Sequence, residues 1–193
     1  MSEIDLALSI ALGVGLAAAT GFRVFVPLLV MSVAAHAGYL PLGENFAWLA
    51  TTGALTVLSI AALLEILAYC IPGVDNLLDT LATPGAVLAG IIASAAVMSD
   101  LPPMIKWTLA IIAGGGAAGL TQGATALLRA HSTAFTAGIG NPVIATAELG
   151  GALVVSLVAL AAPFIALGLV VLFCVLAVRF VRKLASRDTV PKS

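Results

Sequence analysis

Ile4 to Gly38 is a run of 35 residues whose interior, past Asp5, holds one full charge, Arg23. At 1.5 Å per residue an unbroken helix over that run would be about 52 Å long, while bilayer hydrocarbon is about 30 Å thick. The run must break. Its one polar cluster, Thr20-Gly21-Phe22-Arg23 with Pro27 a turn later, is where the chain turns. Similar apolar runs recur to residue 184, and they exclude water as the main solvent. The hydrophobic set makes up 62% of the chain and charged residues 9%, against about 25% charged in soluble domains. Eight basic residues balance nine acidic ones, so no basic footprint for nucleic acid exists. Cys70 and Cys174 lack disulfide or metal-ligand spacing and read as small packing residues.

The same ruler divides the whole sequence into an all-α, polytopic transmembrane helix bundle. It gives about seven hydrophobic segments, some short or broken: 4–20, 22–38, 46–70, 81–98, 105–128, 141–161 and 163–184. They form one transmembrane domain over 1–184, followed by a charged cytoplasmic tail over 185–193. The N-terminus is acidic where a secretory leader needs basic residues, so the first segment is expected to stay in the protein. Residues 71–80 read as irregular and acidic. Thr83-Pro84 and Asn141-Pro142 each have the cap-and-proline form that opens a helix, and 129–140 reads as a polar connection in which His131 is a loop residue. Arg179, Arg182, Lys183 and Arg187 beyond the last span put the C-terminus in the cytoplasm of a multi-pass inner-membrane protein. Counting back places Arg129 and Arg23 on that side and Glu3, Asp5 and Glu44 outside, with Tyr39, Phe46, Trp48 and Trp107 near the outer interface.

Residues 4–20 laid over 105–121 agree at seven of seventeen positions, including Gly13/Gly114 and Thr20/Thr121. A possible internal repeat follows, with two three-segment halves flanking 81–98. The halves run parallel if that middle segment spans the membrane and inverted if it re-enters. Carriers built from such halves hold their site at the interface between them.

Ionisable residues at membrane depth are costly and mark sites of function. Arg23 sits at the first break, where it either snorkels to lipid phosphates or pairs inside the bundle. Glu65 lies late in the third segment, where it either reaches headgroup water from near the helix end or belongs to the binding set. Asp75 and Asp79, four apart with Asn76 between them, share a face if helical and then repel unless a cation, a proton or Arg23 intervenes; a hydrated turn is the alternative. Glu148 stands about two turns inside the helix that Asn141 opens, among small residues that bring other helices close. The helix N-termini at Thr83 and Asn141 either form a site for an anion or carbonyl, or are simple caps. The expected solute- or ion-binding set is therefore Arg23, Glu65, Asp75, Asn76, Asp79, Asn141 and Glu148. No catalytic constellation, cofactor fingerprint or metal motif occurs.

Gly21-Phe22-Arg23-Val24-Phe25-Val26-Pro27, the stretch Ile71 to Asp79 with Thr83-Pro84, Lys106-Trp107 before Gly114-Gly115-Gly116, and Gly138-Ile139-Gly140-Asn141-Pro142 with Glu148 resemble the bacterial membrane proteins grouped as domain of unknown function 4126. The resemblance covers nearly the whole chain and implies a polytopic inner-membrane protein, with no activity attached. From the residues themselves the expectation is a small secondary transporter or channel for a cation or proton-coupled solute, in the lipid bilayer and as a homo-oligomer. Four carboxylates against one arginine point to the cation. A lipid-handling protein, either a scramblase or a head-group carrier, is the main alternative, and a structural subunit of a membrane complex is the third.

Overall fold

A computed structural model of the chain describes the backbone of residues 3–69 and 74–187 and the side chains of residues 3–69 and 82–179. Among these, every regular element is helical: α1 (Glu3–Thr20), α2 (Phe25–His36), a 3-10 helix (Glu44–Ala50), α3 (Thr52–Ala68), α4 (Val74–Val97), α5 (Pro103–Leu109), a π turn (Ala110–Gly115), α6 (Gly116–Thr136), α7 (Asn141–Ala161) and α8 (Pro163–Arg187). Local chemistry sets most ends. Glu3 and Asp5 complement the positive end of α1, and Pro142 and Pro163 sit in opening turns, where a missing N–H costs nothing. The Thr51 hydroxyl accepts from Ala54 N at 3.2 Å and caps α3.

Helix α1 packs against α4, α6, α7 and α8, and α4 packs in turn against α1, the π turn and α6. Small residues make this possible. A Cβ on Gly13 would stand 2.9 Å from Ser94 Oγ, and one on Gly114 would stand 2.6 Å from Ser94 Cβ. The two glycines matched across the internal alignment thus meet the same serine. Next along, Gly90 admits the Ala118 methyl, and the Thr20 hydroxyl donates to the Ala86 carbonyl at 3.1 Å. Residues 13 and 114 share one level of α4, and Gly21 then reaches Ala118 and Thr121, so α1 and α5–α6 run in the same direction.

The chain shuttles between two ends. Asp5, Leu40, Ser99, Asp100, Leu160 and Pro163 border one hollow of about 480 Å³, where α1 and α8 begin and α2, α4 and α7 finish. Phe46 is buried at that end with its ring tilted against Trp107, centroids 6.3 Å apart, while Tyr39, Trp48 and Trp107 are exposed. At the opposite end Leu127 of α6 and Val178 of α8 line one groove.

Several sequence expectations need correction. Among the described residues three helices are long and apolar enough to cross a bilayer, Glu3–Thr20, Pro103–Thr136 and Asn141–Ala161, and a fourth span results if the 3-10 helix and α3, bent by 66°, count as one. That is fewer than seven. Residues 22–38 yield only the 12-residue α2, about 18 Å long. The apolar stretches Ala82–Val97 and Pro163–Arg179 belong to the longer helices α4 and α8. The polar connection at 129–140 shrinks to four residues, because α6 runs to Thr136 and ends at Ala137 and Gly138 with φ of 52° and 87°. His131 is thus helical. Helix α4 does not open at Thr83-Pro84 but carries Pro84 inside. Helix α8 extends to Arg187, past the expected tail boundary, and residues 188–193 lie outside the described set. Cys174 packs beside Val14, Ala18 and Val170, whereas Cys70 is outside the described residues.

A Cβ at Gly21 would fall on the Ala118 carbonyl oxygen and the Thr121 Cβ, whereas one at Gly123 meets nothing within 4 Å. Gly21→Ala should therefore lower stability by about 1–3 kcal/mol, whereas Gly123→Ala, inside α6 with open space around it, should raise it by up to about 1 kcal/mol. Thermal unfolding of both variants in detergent, followed by helical circular dichroism, checks the contrast.

Candidate functional site

The close approach of Gly21 to α6 ends α1 and fixes the turn that follows. Phe22 then packs over Gly151 of α7 and against Phe173 of α8, with ring centroids 5.7 Å apart. This anchor sends Arg23 into the protein rather than toward lipid. Its Nη2 donates to the Ala145 carbonyl at 2.9 Å and lies 3.7 Å from Glu148 Oε2.

Glu148 is the centre of the cluster. Arg129 of α6 grips it with both prongs: Nε donates to Oε1 at 3.0 Å, and Nη2 donates to Oε2. One carboxylate thus serves two guanidinium groups. Tyr69, which caps the end of α3, lies over both, with its ring centroid 3.8 Å from the Arg23 guanidinium carbon and 4.1 Å from that of Arg129. Arg23 and Arg129 are each 2% exposed, Glu148 4% and Tyr69 6%. Glu148 stands seven residues into α7 and Arg129 seven residues before the end of α6, so the pair lies about 10 Å inside that end.

Glu65 approaches from α3. Its Oε1 accepts from Val24 N at 2.7 Å and its Oε2 from Phe25 N at 3.1 Å. The carboxylate therefore sits on the first amides of α2, within electrostatic reach of Arg23 and Arg129. Beside it a cleft of about 460 Å³ opens between α2, α3 and α4, walled by Phe25, Leu64, Glu65, Tyr69, Ala82 and Gly85. Asn141 is buried at the first position of α7, and its Nδ2 donates to Thr133 Oγ1 at 3.1 Å, tying the α6–α7 hairpin together.

Of the residues expected from sequence, Arg23, Glu65 and Glu148 converge, and Asn141 lies two turns from Glu148 on the same helix. The backbone of Asp75, Asn76 and Asp79 belongs to the first turns of α4, while their side chains lie outside the described residues. The sequence reading missed Arg129 and Tyr69. Arg129 was legible from a stripe: Gln122, Thr125 and Arg129, spaced three and four apart, are buried on one face of α6. Its presence also changes the charge count, because the described cluster holds two guanidinium and two carboxylate groups. Among the described residues no group of three or more His, Cys, Asp or Glu could hold a metal.

Apolar helices long enough to cross a bilayer, around a buried arginine–glutamate cluster, are consistent with a helical membrane protein. The chain belongs to the family described as Domain of unknown function (DUF4126), whose model matches residues 10–183. No curated protein and no solved structure matches the chain.

Truncating one member of a buried ion pair leaves a buried charge uncompensated, at a cost of about 3–5 kcal/mol. Arg129→Ala and Glu148→Ala should each lower stability by that order. The double variant should lose clearly less than the two single losses added together, as read from denaturant unfolding in detergent.

Proposed function

We propose that this chain is a membrane transport protein for a small solute, with its binding centre at Arg23, Arg129, Glu148, Tyr69 and Glu65. One observation carries the reading: ionisable side chains from the α1–α2 turn, α3, α6 and α7 meet at a single buried point. Each such group is expensive inside a bilayer and marks a solute path or relay more often than a support. Helix halves meeting around a central site are a recurring carrier plan, and the parallel course of α1 and α5–α6 supports that arrangement here. A bacterial inner membrane with a cytoplasmic C-terminus is the accompanying topology, resting on the basic cluster of α8.

The second reading is lipid handling, and the cleft between α3 and α4 favours it. Its wall is apolar except at Glu65 and Tyr69, which suits a hydrocarbon chain whose head group faces the charged centre.

The test is light scattering from proteoliposomes challenged with sodium salts of small organic acids and with neutral polyols. Wild-type protein should admit at least one class faster than empty vesicles, and Glu148→Gln and Arg129→Lys should cut that rate tenfold or more. Equal rates in wild type and both folded variants would overturn the site. Protein-dependent exchange of a fluorescent phospholipid between leaflets, with no solute entry, would instead support the second reading.

A further inference from the structure

The amide groups that open a helix are a ready seat for an oxyanion, because they lack intrahelical acceptors and lie at the positive end of the dipole. At α2 that seat is filled from far away. The N-cap residue, Val24, has no capping side chain, and the Glu65 carboxylate arrives from α3 to take Val24 N on one oxygen and Phe25 N on the other. A local Ser, Thr or Asp would cap a helix at much lower cost than a glutamate carried on an apolar helix. What the distant glutamate adds is that it can leave.

Three features make leaving feasible. Glu65 and Tyr69 are four residues apart, on one face of α3, so a single helix end carries both the carboxylate on α2 and the ring on the two guanidiniums. Within α3 only Leu58 and Ala62 are buried, and a 66° bend at its start separates it from the 3-10 helix. The cleft of about 460 Å³ lies directly against Glu65 and Tyr69, so a ligand has room beside the seat before the exchange occurs.

We infer that the first turn of α2, flanked by Arg23 and Arg129, is an oxyanion site, and that Glu65 occupies it as an internal stand-in which an incoming carboxylate or phosphate displaces. This rests on reading the cluster as the solute centre and names the ligand chemistry it takes. Glu148 keeps its hold on Arg129 throughout. Only Glu65 exchanges, and the ligand's own negative charge takes the place of its carboxylate. The anion comes either from a free acid or from a lipid head group.

Ligand-dependent melting of the full chain in detergent separates these cases. Glu65→Gln removes the competing charge, so the variant should bind sodium phosphate or sodium butyrate at least tenfold more tightly than wild type if free anions are the ligand. Tightening seen only with phosphatidic acid in mixed micelles, and not with phosphatidylcholine, assigns the site to lipid head groups; both results support the stand-in. Unchanged affinity for all probes in folded Glu65→Gln overturns it. If that variant does not fold, Glu65→Asp, which keeps the charge but is too short to hold both amides, should show a smaller gain, and no gain overturns the inference. Anion tightening without wild-type solute flux would retain the oxyanion site and reject transport. Flux that depends on Glu148 without any tightening would retain transport and reject the stand-in.

Discussion

The grip of Arg129 on Glu148 is the contact on which the rest of this end of the molecule depends. A lone carboxylate or guanidinium in an apolar medium costs several kcal/mol, so neither α6 nor α7 can bury its polar face without the other. Once the pair forms, the α6–α7 hairpin is fixed in register, with Asn141 and Thr133 joined nearer its tip. Glu148 Oε2, already held by Arg129, then also faces a second cation, which the α1–α2 turn supplies. The turn can come this close only because Gly21 has no side chain to strike α6. Packing and electrostatics are therefore one constraint here: the small residue at 21 lets Arg23 reach the carboxylate.

The other end of the bundle is held differently. Ser94 sits between Gly13 and Gly114, and the surrounding core is largely alanine. In lipid, helices gain little from hydrophobic burial and associate through close van der Waals contact. Small residues on three neighbouring helices provide that contact. The π turn at Ala110–Gly115 falls where Gly114 meets Ser94 and Gly90, so the helix distorts where its backbone comes nearest to α4. The two ends thus divide the work, with backbone proximity at one and charge pairing at the other.

The sequence was most legible where composition and backbone chemistry agree. The span 141–161 matches α7 because Asn141-Pro142 opens it and Pro163 follows its end. Glu148 stood out because a carboxylate two turns inside such a helix has no route to water. Composition misled where it was read without spacing. Arg129, His131, Ser132 and Thr133 resemble a loop, yet Gln122, Thr125 and Arg129 trace one helical face. Pro84 looked like a helix start, although a proline inside a helix loses one hydrogen bond without having to end it. Apolar length also overstated the number of spans, because a run such as 22–38 counts turn residues that never enter a helix. Contacts such as Glu65 with Val24, or Tyr69 with both arginines, join residues far apart in sequence and follow from the fold, so no local pattern announces them.

A buried ion pair is by itself weak evidence of function, since apolar residues of similar volume often hold a fold as well or better. The composition of this cluster sharpens the inference. Arg129 and Glu148 alone would lock α6 to α7, and Arg23 could have been any small residue that clears the turn. Instead a second guanidinium shares the same carboxylate, a second carboxylate sits within reach of both cations, and an aromatic ring lies over the pair. Each addition raises the desolvation cost while adding no further link between α6 and α7. Both late additions, Glu65 and Tyr69, come from α3, a helix that buries only Leu58 and Ala62 within its length and borders an open cleft. A lock would draw its parts from the most deeply packed helices. Supplying them from a helix that buries little of itself favours a centre that opens.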